Sequence, residues 1–246
     1  MYKEDFGPYT PGFITVPYGD SAAIESAITS NTAAVMLEPI QGEAGVNIPP
    51  EGFLKQVAEI CKKNNVLLIA DEIQTGLGRT GRIFACDYEG VRPDIMIIGK
   101  ALSGGFYPVS ATLADEPIMG LFAPGEHGST FGGNPLGAAV ARASLRVIRE
   151  EKLAERAELL GTYFMEQLAE IPSPHVQEVR GKGLLIGVQL KSEARGARRF
   201  CEALQERGIL AKETHEHVIR FAPPLVIEKE TIDWALPHIR EVLNMQ

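Results

Sequence analysis

Three short apolar runs, each closed by a charged residue, constrain the fold of this chain more than any other feature. The runs cover residues 33–37, 66–70 and 94–98, and the charged residues that follow are Glu38, Asp71 and Lys100. Between the first two runs, residues 50–64 carry apolar side chains at helical spacing. Continuous apolar strands joined by a helix are typical of a parallel sheet covered on both faces. The sequence therefore predicts an α/β fold with a mostly parallel sheet.

The pattern changes in the second half of the chain, where strands and helices alternate differently. Helices are predicted at 135–150, 152–171, 194–207 and 229–243. Strands are predicted at 108–114, 176–180, 184–190, 209–212 and 218–221, with a glycine-rich loop at 124–133. We expect residues 1–140 to form part of a large α/β domain and residues 141–246 a smaller α+β domain.

The charges after the apolar runs should share one edge of the sheet, because open α/β sheets bind ligands at the carboxyl ends of their strands. Such a set suits pyridoxal 5′-phosphate. A lysine such as Lys100 must lose its proton to bond this cofactor, and burial favours that loss. A carboxylate such as Asp71 must keep the pyridine nitrogen protonated. Taken alone, however, a charge at a strand end is more often a solvated loop residue.

The loop at 127–133 offers small residues and two hydroxyls, those of Ser129 and Thr130, which could hold a phosphate. A loop of this composition is, by itself, more often only a turn. The phosphate interpretation therefore depends on Lys100 and Asp71 lying nearby.

Two further motifs indicate other chemistry and are weaker. Gly76, Gly78 and Gly81 match the glycine fingerprint of dinucleotide-binding proteins. Residues 72–75 separate this motif from the strand and no clear helix follows it, so we do not expect a nucleotide site. His215 and His217 could face a metal ion, but without further ligands nearby we expect a turn and no metal.

The composition excludes several classes of partner. The net charge of −8 favours neither nucleic acid nor an anionic membrane. No apolar run approaches the ~18 residues of a membrane span. The three cysteines are far apart in the sequence and odd in number, which indicates a reducing, cytoplasmic setting rather than a disulfide framework.

Five motifs occur in an order that resembles the class III pyridoxal-phosphate aminotransferases. They read EPIQGEAG from Glu38, DEIQTG from Asp71, GKALSGG from Gly99, GSTFGGNP from Gly128 and VIRFAPP from Val218. The resemblance covers essentially the whole chain. It implies a fold-type I enzyme, with part of the large domain followed by the C-terminal small domain.

The resemblance also implies a role for each matching residue. Lys100 would bond the cofactor and move the proton at the substrate carbon. Asp71 would hold the pyridine nitrogen, and Gln74 would bond the ring hydroxyl. Thr130, with Ser129 as an adjacent candidate, would reach the phosphate of a neighbouring subunit, which implies a homodimer with shared sites.

A further pair implied by the resemblance is Glu43 and Arg220. Glu43 would mask Arg220 while ornithine presents its terminal amine, and would release it to clamp a carboxylate of 2-oxoglutarate. A permanent salt bridge is the alternative.

Residues 42–45 and 125–130 favour ornithine among the substrates of the family. The expected reaction transfers the δ-amino group of L-ornithine to 2-oxoglutarate, giving glutamate 5-semialdehyde and glutamate, in arginine and proline metabolism. Acetylornithine or another ω-amino acid is the alternative substrate.

Members of the family begin well before the position matched by Tyr2, and their earlier segment carries further cofactor contacts. We therefore expect this chain alone to be inactive, with a companion polypeptide or a longer parent gene supplying that segment. The alternative is a non-catalytic fragment that folds and associates.

Overall fold

The N-terminal half of the chain forms one four-stranded sheet, termed here the N-terminal sheet. The computed structural model describes residues 5–246. The strands are β1 (Ala34–Leu37), β2 (Leu67–Asp71), β3 (Ile95–Ile98) and β4 (Ala111–Ala114), and they lie in that order. The first three strands pair in parallel, whereas β4 pairs antiparallel with β3. The prediction of an α/β fold with a mostly parallel sheet is confirmed.

Two of the three helices in the N-terminal half pack on the N-terminal sheet through apolar faces, and the third has no buried residue. Helix α1 spans Ser21–Ala27, α2 spans Phe53–Lys63 and the short α3 spans Glu116–Met119. Buried side chains from α1, α2 and β2 form one cluster, namely Ile24, Phe53, Leu54, Val57, Cys61, Val66 and Leu68. The helical spacing at 50–64 thus gave α2, which begins after Gly52, whose φ of 79° is outside helical range.

The C-terminal half forms a second, antiparallel sheet, termed here the C-terminal sheet. Its strands are β5 (Val176–Lys182), β6 (Leu185–Leu190), β7 (Lys212–Thr214) and β8 (Val218–Phe221), in the order β5-β6-β8-β7. Helices α5 (Leu153–Ala169), α6 (Arg198–Glu206) and α7 (Lys229–Leu243) accompany it. Their buried side chains enclose a large core that includes Phe164, Leu168, Leu184, Ile186, Phe200, Leu204, Ile219 and Ile239.

Helix α4 (Pro135–Glu150) joins the two halves of the chain. The Asn134 side chain caps its first turn by accepting from the backbone N–H of Gly137 at 2.8 Å. Ser144 on this helix donates to the carbonyl of Ala101 at 2.7 Å. A domain division at residue 140 would cut this helix. The division of the chain into residues 1–140 and 141–246 stays a prediction.

Most predicted elements lie where the structure has them, and the exceptions have local causes. The strand predicted at 209–212 is β7, displaced to Lys212–Thr214. The helix predicted at 194–207 begins only at Arg198, after a 3₁₀ turn at Ser192–Ala194. Helix α1 was not predicted. In residues 5–246, no helix combines the length and apolar character that a membrane span requires.

Candidate active site

The carboxyl ends of β1, β2 and β3 bring together the three charges that close the apolar runs. Burial is the main cause that raises the pKa of Glu38, and the negative charge of Asp71 raises it further. The positive charge of Lys100 and a hydrogen bond from the Gly42 N–H, at 3.1 Å, act in the opposite direction. Glu38 therefore lies within electrostatic reach of both Asp71 and Lys100. That the three residues share one cofactor site stays a prediction.

Asp71 is the last residue of β2, and the residue is half-buried. Its Oδ1 accepts a hydrogen bond from the backbone N–H of Ile73 at 3.0 Å. Such an Asx turn fixes a carboxylate at the strand tip.

Lys100 opens a 3₁₀ turn, Lys100–Ser103, directly after β3 and Gly99. Its φ of 43° lies in the left-handed region, where a residue with a Cβ costs roughly 1–3 kcal/mol. Gly99 is buried, and a Cβ there would stand 3.4 Å from Cγ2 of Ile73 and 3.5 Å from Cβ of Ser110. The Lys100 side chain is exposed, so the dry surroundings expected for it do not exist among the described residues.

Glu43 and Arg220 form an ion pair although 177 positions separate them in the sequence. Oε1 of Glu43 lies 2.6 Å from Nη1 of Arg220, whose side chain is only 14% exposed. Oε2 of Glu43 lies 2.9 Å from Nζ of Lys212. Arg220 first and Lys212 second lower the pKa of the Glu43 carboxyl to about 2. Glu43 is therefore ionised at any physiological pH.

Gln74 belongs to this same cluster. Its Nε2 donates to Oε1 of Glu43 at 3.3 Å, and its Oε1 accepts from Nη1 of Arg220 at 3.0 Å. A Cβ on Gly42 would stand 1.9 Å from Oε1 of Gln74, so only glycine permits this approach. The role predicted for Gln74, bonding a ring hydroxyl of the cofactor, stays a prediction.

Ser129 and Thr130 lie in an exposed loop between α3 and α4. Oγ of Ser129 accepts a hydrogen bond from the N–H of Gly132 at 2.9 Å. Within residues 5–246, no hydrogen bond joins this loop to Asp71 or Lys100. The phosphate role predicted for both hydroxyls therefore stays a prediction.

The glycine motif at residues 76–81 is a contact between the two sheets. Arg79 in this loop donates from Nη1 to the carbonyl of Leu184 at 3.1 Å and to that of Pro223 at 2.6 Å. Burial first, and the charge of Arg220 second, lower the pKa of Arg79 to about 10. A Cβ on Gly81 would stand 2.9 Å from Cβ of Glu158 on α5. These glycines permit close packing, and a 3₁₀ turn, Ala85–Glu89, follows the loop in place of the helix that a dinucleotide site needs.

His215 and His217 lie in the turn between β7 and β8, where His215 has a φ of 51°. Among residues 5–246, no group of three or more His, Cys, Asp or Glu side chains could hold a metal ion.

Sequence reasoning missed three residues near the cluster. Lys212 contacts Glu43 as described above. Tyr18 donates its hydroxyl to the carbonyls of Glu38 and Pro39 at 3.1 and 2.9 Å. Arg180 on β5 donates to the turn that carries Glu43. Only Lys212 had a usable signal, since the hairpin of β7 and β8 pairs it with Arg220.

Comparison with known proteins decides the family. The family model described as aminotransferase class III matches residues 1–243. The chain belongs to the class III aminotransferases. These enzymes use pyridoxal 5′-phosphate, and the predicted cofactor is confirmed at that level. The residues present suit it in position, because Asp71 and Lys100 follow adjacent parallel strands at their carboxyl ends and the N–H of Ile73 holds the Asp71 carboxylate.

Similar class III aminotransferases include two bacterial ornithine aminotransferases. The one from Bacillus subtilis is 60% identical over 243 residues, which is 99% of this chain and 60% of that protein. The one from Brevibacillus brevis is 59% identical over 244 residues, with the same coverage of each. The chain thus spans about 60% of the length of these relatives.

Solved structures of class III aminotransferases share the fold. The ornithine aminotransferase of Toxoplasma gondii superposes with a TM-score of 0.94 at 48% identity, over 98% of this chain and 58% of that one. A further structure of the Toxoplasma gondii enzyme has partial occupancy of pyridoxal phosphate at its active site. The acetylornithine aminotransferase of Elizabethkingia anophelis gives 0.90 at 52% identity, over 98% and 62%.

Proposed function

We propose that this chain forms the lysine-bearing part of an aminotransferase that transfers the δ-amino group of L-ornithine to 2-oxoglutarate. The products would be glutamate 5-semialdehyde and glutamate. The observation that carries the proposal is the ion pair between Glu43 and Arg220, which occupies the arginine that would otherwise take a substrate carboxylate.

The residues at the strand ends would divide the chemistry between them. When bound, the cofactor supplies the aldehyde that exchanges amino groups and the ring that withdraws electrons. Lys100 would bond it and carry a proton on Nζ to and from the substrate carbon. Asp71, held by the N–H of Ile73, would keep a proton on the ring nitrogen.

The pair of Glu43 and Arg220 would decide which amine of the substrate reacts. Ornithine has a carboxylate beside its α-amine and a second amine at its far end. A free guanidinium binds carboxylates strongly with two parallel hydrogen bonds. It would draw the α-carboxylate inward and place the wrong amine at the cofactor. Glu43 prevents this while it pairs with Arg220.

The contacts of Glu43 allow the pair to open when 2-oxoglutarate arrives. The two carboxylate oxygens of Glu43 contact different cations, Oε1 with Arg220 and Oε2 with Lys212. Losing Arg220 to a substrate carboxylate therefore leaves Glu43 with a cationic partner. This lowers the cost of releasing the arginine relative to a pair with no second cation.

The test is a comparison of Glu43→Ala with the unaltered residue in the assembled enzyme. We expect selectivity for the δ-amine over the α-amine, as the ratio of kcat/KM values for ornithine and glutamate as amino donors, to fall roughly tenfold to a hundredfold. That range corresponds to about 1.5–3 kcal/mol for a hydrogen bond to a charged group. The matched control is Glu213→Gln. Glu213 lies on the β7–β8 hairpin that also carries Arg220, but it pairs with Arg198 and not with Arg220. Unchanged selectivity in Glu43→Ala would show a permanent salt bridge instead.

N-Acetylornithine is the second candidate donor, because the acetylornithine aminotransferase of Elizabethkingia anophelis, at 52% identity, is more similar in sequence than the Toxoplasma gondii ornithine aminotransferase, at 48%. Both donors present a terminal amine to the cofactor and differ in whether the α-amine is blocked. The ratio of kcat/KM for ornithine and N-acetylornithine separates them, and we expect it to favour ornithine.

We also propose a homodimer with shared sites, a cytoplasmic location and a role in arginine and proline metabolism. Thr130 supports the dimer, since it lies in an exposed loop beside the exposed Phe131, where a second subunit could take its hydroxyl. Light scattering of the purified protein, together with assay of turnover with and without further polypeptide, tests the assembly.

A further inference from the structure

The turn that carries Glu43 follows β1 in sequence but packs against the C-terminal sheet. Residues 41–47 close on themselves through hydrogen bonds between Gln41 and Asn47, from the Gln41 N–H at 3.1 Å and from the Asn47 N–H at 2.9 Å. Within the turn, Gly45 has a φ of 119° and Val46 a φ of 53°. A β-branched residue in the left-handed region persists only where its surroundings hold it.

Packing against the C-terminal sheet helps to keep the backbone of this turn in its left-handed conformation. Val46 is fully buried and clusters with Leu185 of β6. A Cβ on Gly187 would stand 3.0 Å from Cβ of Val46, so β6 approaches the turn as closely as only glycine allows. A Cβ on Gly45 would stand 3.4 Å from Cγ2 of Val218 on β8.

Arg180 on β5 stabilises the same turn through hydrogen bonds. Its Nε donates to the carbonyl of Val46 at 2.9 Å, and its Nη2 donates to the carbonyl of Gly45 at 2.6 Å. The guanidinium is itself oriented by Glu178 and by Oε1 of Gln189, the latter at 3.1 Å. It thus bonds the two residues of the turn whose backbone is left-handed.

Arg220 belongs to the same sheet as these contacts. It lies on β8, and β8 pairs with β6, where Gly187 is opposite Arg220. The turn with Glu43 and the strand with Arg220 are therefore both attached to β6. A shift of the C-terminal sheet relative to the N-terminal sheet would carry both partners of the ion pair together.

We propose that Arg180 is a positioning residue that fastens the Glu43 turn to the C-terminal sheet, so that the pair of Glu43 and Arg220 opens by rotation of a side chain and not by relative movement of the two sheets. The inference rests on the proposed function for its significance to catalysis. The fastening itself is a property of the turn and can be measured without any substrate.

The experiment is a pH titration of the Glu43 side-chain carboxyl by ¹³C NMR in the purified protein. In the unaltered protein, this carboxyl should titrate with a pKa of about 2, because Arg220 and Lys212 stabilise its charge. Arg180→Met should free the turn and move the pKa toward the ordinary carboxyl value. Arg180→Lys should restore part of the shift, since one ammonium can serve one of the two carbonyls. Arg198→Met, on α6 and bonded to Glu202 and Glu213, is the matched control and should change nothing at Glu43.

Two results of this titration would overturn the proposal. An unchanged Glu43 pKa in folded Arg180→Lys or Arg180→Met protein overturns the proposal. If neither variant folds while Arg198→Met does, Arg180 is a general stability residue, which also overturns it.

A second measurement distinguishes this inference from the proposed function. In the assembled enzyme, Arg180→Lys should reduce δ-amine selectivity by about tenfold, a typical coupling within one hydrogen-bond network. In a Glu43→Gln background the same change should have no further effect on selectivity. If the NMR shift occurs and selectivity does not change, the fastening stands and the proposed role of the ion pair fails.

Discussion

The two sheets of this molecule differ in how completely they bury their apolar side chains. Around the C-terminal sheet, Phe200, Leu204 and Ile219 are all fully buried in one core. Around the N-terminal sheet, large side chains such as those of Phe106 and Leu121 are at least 80% exposed. The difference indicates that, within the described residues, the C-terminal sheet has the larger and more completely buried core.

The location of the charged residues follows the same division. Asp71 and Lys100 stand at open strand ends of the N-terminal sheet, and Lys100 is exposed. Arg220 and Arg180 are anchored in the C-terminal sheet by register and by hydrogen bonds. The C-terminal sheet therefore fixes the groups that would choose the substrate, and the N-terminal sheet holds those that would react with it.

We expect the largest difference between the two regions in the free energy of unfolding of variants that lose an aromatic ring. Phe200→Ala removes a fully buried ring from the C-terminal core and should lower the free energy of unfolding by about 3–5 kcal/mol. Phe106→Ala, at a side chain that is 82% exposed, should change it by less than about 0.5 kcal/mol. Urea denaturation measures both. Equal losses would mean that the two regions do not differ in the way described.

We expect a smaller loss of unfolding free energy when a contact between the two sheets is removed. Arg79→Met leaves the carbonyls of Leu184 and Pro223 without their donor, and we expect a loss of roughly 1–3 kcal/mol. Arg82→Met is the matched control in the same loop, since its contact with Glu158 is solvent-exposed and worth less than about 1 kcal/mol. Thermal unfolding of the two variants compares them, and a loss no greater in Arg79→Met than in Arg82→Met would break the assignment of this loop as a contact.

We expect the smallest change in the free energy of unfolding from the pH dependence of the Glu43 ion pair. The folded-state pKa of Glu43 is about 2, below its unfolded value of 4.5, so its pair stabilises the fold above pH 4.5 and this contribution is lost as the pH falls through about 2. Because Glu43 is half-exposed, solvent screening limits the contribution to less than about 1 kcal/mol. The difference in unfolding free energy between unaltered protein and Glu43→Gln, measured from pH 7 to pH 2, should shrink with acid. A difference that grows with acid would contradict this sign.

Hydrophobic pattern was sufficient to predict much of the fold. Helix α4 and helix α7 lie where their spacing placed them, because each has one apolar face and clear boundaries. Helix α1 was missed since its seven residues bury only Ile24. Strand β7 was displaced because its three residues are too few for an alternating pattern to define.

The site was less accessible to sequence reasoning than the fold. The strand ends at Asp71 and Lys100 follow from the parallel pattern. The contact between Glu43 and Arg220 joins residues that are 177 positions apart and has no local signal. It came from the resemblance to class III aminotransferases. The glycine loop at residues 76–81 misleads for a physical reason, since close backbone packing and phosphate binding both select glycine.

The proposed function requires Lys100 and Asp71 to share one cofactor site at the edge of the N-terminal sheet. The direct measurement is to add pyridoxal 5′-phosphate to the purified protein, reduce with borohydride and map the modified lysine by mass spectrometry, with Asp71→Asn and with Lys63→Arg as a surface control. We expect modification at Lys100 that weakens in Asp71→Asn and persists in Lys63→Arg. Modification spread over surface lysines, with Lys100 not preferred, would contradict it.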